Sequence, residues 1–266
     1  MEVLGYIASV FIGISLGLIG GGGSILTVPV LIYLFGVDTL PATAYSLFIV
    51  GVTSLTGVIP KYRQRQVDLK LAAIFGIPSI IMVFLTRALI LPALPQQLLT
   101  IGSFSLTKSV FVMLLFAVLM MLASVTMIRS SSPTDAEADL RKPLNFPLII
   151  AQGLGEGLLT GLVGAGGGFL IIPALVLLSG IPIKRAIGTS LLIIGVKSLI
   201  GFSADLRNFN MPWPLLISLA TLAIVGMYAG HQLSSYISGS KLKRGFGGFI
   251  FLVAGYILYQ MLRSLT

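Results

Sequence analysis

Two stretches of the chain repeat one pattern: residues 17–31 read GLIGGGGSILTVPVL, and residues 161–175 read GLVGAGGGFLIIPAL. They belong to a longer internal repeat. At an offset of 144, residues 13–57 align with residues 157–201 without a gap, and about 20 of the 45 pairs are identical. Glycines and prolines align, as at Pro29 and Pro173, which apolar composition alone does not produce. The chain therefore contains two copies of one structural unit.

The composition indicates that this unit is built for a lipid bilayer. Of 266 residues, 56% are hydrophobic and 9% are charged, whereas a soluble domain carries about 25% charged residues. Each repeat contains five apolar segments, which predicts an all-α integral membrane protein. The segments span residues 3–19, 24–35, 42–59, 70–91 and 106–128, and then 146–163, 168–179, 186–202, 212–236 and 245–262.

A polar stretch separates the two repeats. Residues 129–143 read RSSSPTDAEADLRKP, which is typical of a connecting loop. We therefore divide the chain into a first transmembrane repeat at 1–128, a cytoplasmic linker at 129–144 and a second repeat at 145–266.

Several segments are shorter than the roughly 20 residues that cross a bilayer core as a helix. The shortest, 24–35 and 168–179, follow glycine runs and contain Pro29 and Pro173. Glycine and proline interrupt helices. We therefore expect broken helices or re-entrant hairpins near the midplane, where irregular backbone must be buried in protein or line a polar cavity.

The basic residues indicate how the repeats are oriented. If the loop 60–70 is cytoplasmic, counting crossings assigns twelve of the 17 Lys and Arg residues to that side, as the positive-inside rule requires. This needs an odd number of crossings per repeat, so we predict inverted repeats with both termini outside. The twelve are Lys61, Arg63, Arg65, Lys70, Arg129, Arg141, Lys142, Lys184, Arg185, Lys241, Lys243 and Arg244.

Composition also excludes several classes of function. The chain has no cysteine and one histidine, so thiol chemistry and clustered metal sites are not expected, and no cofactor is predicted. The net charge of +9 comes from basic residues between apolar segments, so it does not indicate a nucleic-acid partner.

The glycine runs are candidates for binding an anion. We call Gly20–Gly23 the first glycine run and Gly164–Gly168 the second. Glycine lets a ligand approach backbone amides, and a helix start after such a run carries free N–H groups and partial positive charge. Two such starts, one from each repeat, would surround one oxyanion. The alternative is close helix packing, which we favour for the Gly13-x-x-x-Gly17 pattern and its copy at 157–161.

The motifs resemble those of a known family. The two glycine–proline stretches are followed by AYSLFIVGVTSLTG at 44–57 and IGTSLLIIGVKSLIG at 187–201. This doubled pattern resembles the sulfite exporter TauE/SafE family, also called the four-toluene-sulfonate uptake permeases. The resemblance implies an inner-membrane carrier for sulfur-containing anions such as sulfite, thiosulfate or sulfonates. The first repeat departs from the Thr-Ser-Leu element, since Tyr45 stands opposite Thr189.

Ionisable residues inside apolar segments are expensive and usually functional. Lys197 would supply positive charge to an anion site; the alternatives are snorkelling to an interface or an internal ion pair. Glu156 would either exchange a proton during transport or form an ion pair with Lys197. Arg87 and His231 are equivalent at the 144-residue offset. Arg87 would either recruit anions or anchor at the headgroups, and we favour the anchor; for His231 we favour an interfacial residue over a catalytic one. Lys108 has the same ambiguity as Arg87.

The sequence thus predicts a substrate site at the midplane and three candidates for coupling or gating, Glu156, Arg87 and His231. The predicted substrate-binding residues are Gly20, Gly21, Gly22, Gly23, Ser24, Ser46, Thr53, Ser54, Gly164, Gly166, Gly167, Gly168, Thr189, Ser190, Lys197 and Ser198.

These predictions describe an alternating-access transporter in the cell inner membrane, driven by a coupling proton, an ion or the substrate gradient. A passive anion channel is the first alternative, because it would use the same hydrogen-bond donors. An intramembrane enzyme is a second alternative, but this sequence has neither paired intramembrane carboxylates nor metal-ligand spacing. A membrane subunit of a larger complex is a further alternative, and the sequence does not indicate the oligomeric state.

Overall fold

A computed structural model describes residues 2–101, 104–129, 146–234 and 239–265 of the chain. In these residues the α-helices are α1 (Glu2–Ile19), α2 (Thr27–Phe35), α3 (Thr39–Arg63), α4 (Leu69–Leu85), α5 (Leu91–Ala93), α6 (Lys108–Arg129), α7 (Phe146–Val163), α8 (Gly168–Ser179), α9 (Ile183–Asp205), α10 (Trp213–Leu233) and α11 (Gly239–Leu265). The linker predicted at 129–144 lies outside the described residues except for Arg129.

The all-α class is confirmed, and every predicted apolar segment contains a helix. Six helical spans in the described part of the chain are long and apolar enough to cross a membrane. The spans are Thr39–Arg63, Leu69–Ala93, Lys108–Arg129, Phe146–Val163, Ile183–Asp205 and Trp213–Leu233. The chain is therefore a multi-pass membrane protein.

Several helices are longer than the apolar segments that predicted them. The segments 42–59 and 186–202 lie within α3 and α9, which have 25 and 23 residues. Both helices continue into polar flanking sequence, where intrahelical hydrogen bonds still form and hydropathy no longer marks the boundary. These two helices are also the most enclosed: 67% of their apolar windows is buried, against 39–50% in the other four spans.

The predicted helix breaks are present at the glycine runs. A 3₁₀ turn (Gly22–Leu26) precedes α2, and α8 begins directly at Gly168. The prolines are not the cause of either break. Pro29 lies in the first turn of α2, where its missing N–H is tolerated, and Pro173 lies inside α8.

A short β-hairpin was not predicted. Strand β1 (Gln97–Ile101) pairs antiparallel with β2 (Phe104–Thr107), within a stretch that we expected to be a loop up to residue 105. Thr100, Ile101, Phe104 and Thr107 in these strands are of residue types that are enriched in β-structure. Apolar segment counting overlooks such a short element.

The helices pack in a pattern that is preserved when the repeats are exchanged. Helix α1 packs on α10 and α7 packs on α4, while α3 packs on α9 and α6 on α11. At the 144-residue offset α1 corresponds to α7 and α4 to α10. Individual contacts follow the same rule: Gly51 packs against Leu199, and Gly195 packs against Leu55.

Equivalent helices of the two repeats run antiparallel where they cross. Along the interface of α3 and α9, Phe48 faces Phe202, Gly51 faces Leu199 and Leu55 faces Gly195. Residue numbers rise along one helix as they fall along the other. The predicted GxxxG packing also occurs, because a Cβ at Gly13 or at Gly157 would overlap or crowd the backbone of the facing helix.

Candidate functional site

The two glycine runs are in direct contact. A Cβ added at Gly21 would lie 2.8 Å from Cα of Gly168, so these two backbones touch. Nearby, Cβ of Ser24 lies 3.5 Å from the position that a Cβ would take at Gly166. The structure therefore brings together the two chain breaks, one from each repeat.

Several backbone N–H groups at this contact have no hydrogen-bond acceptor among the described residues. Four N–H groups of the turns at the glycine runs donate to no backbone carbonyl of the described residues: those of Gly21, Ala165, Gly166 and Gly167. The first N–H groups of α8, which begins at Gly168, have no intrahelical partner either. Such a group of amides at a helix start is suited to an anion.

A buried cluster of charged and hydroxyl groups lies beside the second glycine run. The Lys197 ammonium forms an ion pair with Oε1 of Glu156. Thr160 donates to the same Oε1 at 2.7 Å, and Ser79 donates to Oε2 at 2.6 Å. All four side chains are buried, so both carboxylate oxygens are satisfied inside the protein.

Gly167 joins this cluster to the glycine run. Its φ of +67° is in the left-handed region that favours glycine. A Cβ there would overlap Oε1 of Glu156 and Oγ1 of Thr160, and would lie 2.9 Å from Nζ of Lys197. The ion pair thus contacts the backbone of the glycine run directly. The internal-pair alternative for Lys197 is present in the structure, and the snorkelling alternative is wrong.

A second buried ion pair lies at the other end of the same run. Nη1 of Arg87 is 2.9 Å from Oδ2 of Asp205 and donates to Oγ1 of Thr43 at 3.0 Å. A Cβ at Gly164 would lie 2.7 Å from Nη2 of Arg87. Nε and Nη2 of Arg87 and Oδ1 of Asp205 have no hydrogen-bond partner among the described residues.

The headgroup-anchor interpretation of Arg87 is therefore wrong. Its side chain is 0% exposed, because Asp205 and Thr43 hold it inside the protein. Arg87 lies on a π-helical turn (Thr86–Ile90) that follows α4, and such turns are frequent at functional sites. Lys108 is also buried, and its ammonium donates to the carbonyl of Leu94 at 3.3 Å.

The predicted hydroxyl residues make different contacts. Ser190 donates to the carbonyl of Gly20 at 3.1 Å, and Ser24 donates to Gly21 at 2.8 Å, so both belong to the first glycine run. Thr53 donates to the carbonyl of Ile49 in its own helix. Buried hydroxyls with no described partner occur at Ser46, Ser54 and Ser198.

Two predicted residues lie elsewhere. Oγ1 of Thr189 accepts the N–H of Asp68 at 2.9 Å, which ties α9 to the start of α4. The ring of His231 lies 3.4 Å from Nε2 of Gln64. Neither contact involves a glycine run.

Sequence reasoning missed four residues that complete the two ion pairs. Thr160 follows Glu156 by four positions, a spacing that places both on one helix face. Ser79, Thr43 and Asp205 carry no such local signal, because their partners are 77, 44 and 118 positions away. Asp205 lies beyond the predicted apolar segment 186–202, whereas in the structure it is the last residue of α9 and 1% exposed.

Little space is open beside the ion pair. A cavity of about 10 Å³ lies there, which is close to the smallest that holds one water molecule. Its lining consists of Leu119, Leu159, Thr160, Val163, Ala165, Gly167, Phe169 and Leu170. This cavity is too small for a polyatomic anion.

The fold and site define a class of membrane protein. Paired repeats with helix breaks and buried charges are the construction of secondary transporters. The family described as "Sulfite exporter TauE/SafE" matches residues 6–257, and the chain belongs to this family. It is a membrane transporter of that type.

Similar proteins extend over nearly the whole chain. A probable membrane transporter protein of Xylella fastidiosa (strain Temecula1) is 31% identical over 260 residues, covering 96% of this chain and 94% of that protein. The probable membrane transporter protein YunE of Bacillus subtilis is 30% identical over 253 residues, covering 90% and 87%. No solved structure matches the chain significantly.

Proposed function

We propose that the chain carries a small sulfur-containing oxyanion, of the sulfite, thiosulfate or organosulfonate type, across the cell inner membrane by alternating access. The anion binds where the two glycine runs meet. The observation that carries this proposal is the contact of Gly21 with Gly168 beside the buried ammonium of Lys197. Amides from both repeats and one cation converge there, which matches the chemistry of an oxyanion.

The charges of the site suggest how binding is balanced. Lys197 is paired with Glu156 when no anion is bound, and an added anion would introduce an uncompensated charge at a buried position. Protonation of Glu156 removes this difficulty, because the Lys197 ammonium is then free to pair with the anion. We propose that one proton binds at Glu156 together with the anion.

Alternating access follows from inverted repeats. The antiparallel crossing of α3 and α9 supports this arrangement, because equivalent helices of parallel repeats would run in one direction. Together with the basic loops assigned to the cytoplasm, it supports outside positions for both termini.

A carrier is favoured over a passive channel by the closure at the site. The glycine backbones touch, and the cavity of about 10 Å³ beside them is too small for a hydrated anion. A carrier opens this contact to one side at a time, whereas a channel needs a continuous opening.

The test is exchange of labelled for unlabelled thiosulfate or sulfite in liposomes that contain the purified full-length chain. The double variant Glu156→Gln with Lys197→Met removes both charges, and such replacements often leave stability unchanged. We expect it to fold and to lose exchange by more than about tenfold, while the exposed-site control Lys70→Met retains exchange. Wild-type exchange by a folded double variant would refute the assigned site, and unitary currents in place of saturable exchange would establish a channel.

The single variant Glu156→Gln tests proton coupling, since glutamine imitates the protonated acid. We expect the transport rate of the variant to depend less on pH than that of the wild-type chain. A pH profile identical to that of the wild-type chain would remove Glu156 from the coupling step.

A further inference from the structure

Both residues of the Arg87–Asp205 ion pair have equivalents at the 144-residue offset, and both equivalents are basic. Helices α3 and α9 begin at Thr39 and Ile183, and α4 and α10 begin at Leu69 and Trp213, so the same offset of 144 relates both pairs. This offset carries Arg87 onto His231 and Asp205 onto Lys61. A basic residue thus stands where the other repeat has a carboxylate.

Lys61 and His231 are near each other, as their equivalents are. Each is partly buried, and Gln64, which directly follows α3 three residues after Lys61, lies 3.4 Å from the ring of His231. Lys184 is a third basic group and lies one turn before Gly188 on α9, where an added Cβ would be 3.3 Å from Cβ of Lys61. In the part of the chain that the structure describes, none of these three forms an ion pair.

Neighbouring basic groups without a counter-charge repel one another, and an anion placed between them removes the repulsion. The equivalent position shows what such an anion would replace, since the carboxylate of Asp205 lies within 2.9 Å of the Arg87 guanidinium. We propose that Lys61, His231 and Lys184 form a second anion site, in which a small oxyanion takes the place of the missing carboxylate.

Space and further donors are available next to this group. A crevice of about 410 Å³ opens there and is lined by Ile59, Pro60, Arg63, Gln64 and Tyr228. The amide of Gln64 also contacts His231, so it connects the crevice with the basic group. The Arg63 guanidinium offers a planar pair of donors that fits an oxyanion. Only the choice of a sulfur oxyanion as ligand rests on the proposed function.

The experiment measures binding of labelled thiosulfate to the purified full-length chain in lipid-free detergent. The variant Lys61→Asp with His231→Arg copies the Arg87–Asp205 pair and supplies the carboxylate internally. We expect its affinity at this site to fall by about tenfold or more. Lys70→Asp, an equal charge change at an exposed residue near the same loop, should bind as the wild-type chain does. Lys61→Met serves as a second variant without the added carboxylate.

The other outcomes are also decisive. Unchanged affinity and stoichiometry in both Lys61 variants would overturn the second site, whether or not the midplane site is correct. Loss of binding only in the double variant Glu156→Gln with Lys197→Met would also overturn the second site. Competition by phosphatidylglycerol, sensitive to Lys61, would identify a lipid phosphate as the oxyanion that occupies the site.

Discussion

At the scale of single residues, two buried ion pairs set the character of the site. Glu156 and Lys197 belong to the second repeat, whereas Arg87 joins the first repeat to Asp205 of the second. Burying a charge is tolerated only when partners compensate it. Both ion pairs contact the second glycine run. A change in the charge of either pair therefore changes the electrostatic environment of the backbone in that run.

The Arg87–Asp205 pair gives a prediction about stability. In Asp205→Asn the guanidinium remains buried without its counter-charge, and we expect the free energy of unfolding to fall by about 3–5 kcal/mol. Asp38→Asn, at an exposed carboxylate, should change it by less than about 0.5 kcal/mol. Thermal unfolding in detergent measures both; equal melting temperatures for the two variants would contradict the importance of the pair.

The residue scale also shows where prediction from sequence ends. Lys197 and Glu156 were identified as candidates because ionisable groups are rare within apolar segments. Their pairing was left open, since 41 positions separate them and no local pattern fixes the crossing of α7 and α9. Arg87 was misinterpreted for the same reason: its partner lies 118 positions away, so only tertiary structure shows its burial.

At the scale of elements, the glycine runs end one helix and start the next. The sequence predicted these breaks from composition, and the doubled pattern predicted that both repeats contain one. It also predicted that the two runs would surround one oxyanion, but it did not predict that their backbones would touch, because direct contact depends on the packing of the helices around them. The hairpin β1–β2 was missed because two short strands resemble any polar and apolar mixture between membrane segments.

The second glycine run gives a prediction at this scale. Gly167→Ala places a Cβ against Glu156 and Thr160 at a φ of +67°, which costs about 1–3 kcal/mol. We expect a lower melting temperature and impaired anion exchange. Gly155→Ala is the matched control, because a Cβ there meets no atom within 4 Å and alanine favours a helix. If both variants melt and transport alike, the close approach at Gly167 has no functional meaning.

At the scale of the whole molecule, exchange of the repeats relates helix packing, glycine contacts and ion-pair positions. Evolution has kept the backbone pattern in both halves while the polar groups have diverged: Lys197 stands opposite Thr53, and Asp205 opposite Lys61. The region of Arg87 and Asp205 and the equivalent region of His231 and Lys61 thus share a backbone pattern and differ in charge. We propose that this difference gives the two regions different affinities for anions.

Orientation in the membrane is testable with single cysteines, since the natural chain has none. Gln64 and Asn208 are exposed and equivalent at the 144-residue offset. In inverted repeats they lie on opposite sides of the bilayer. An impermeant maleimide applied to intact cells should label Asn208→Cys and leave Gln64→Cys unlabelled until lysis. Labelling of both from the same side would rule out inverted repeats.

The central claim is that the glycine runs separate to admit the anion, and a cross-link between them tests it most directly. Cβ of Ser24 lies 3.5 Å from the position of a Cβ at Gly166, which is within the range of about 3.5–4.5 Å for a disulfide. Exchange of labelled thiosulfate is measured in liposomes with Ser24→Cys/Gly166→Cys, oxidised and then reduced, beside each single variant. The account predicts that oxidation abolishes exchange in the double variant alone and that reduction restores it. Undiminished exchange by the fully cross-linked protein would contradict it.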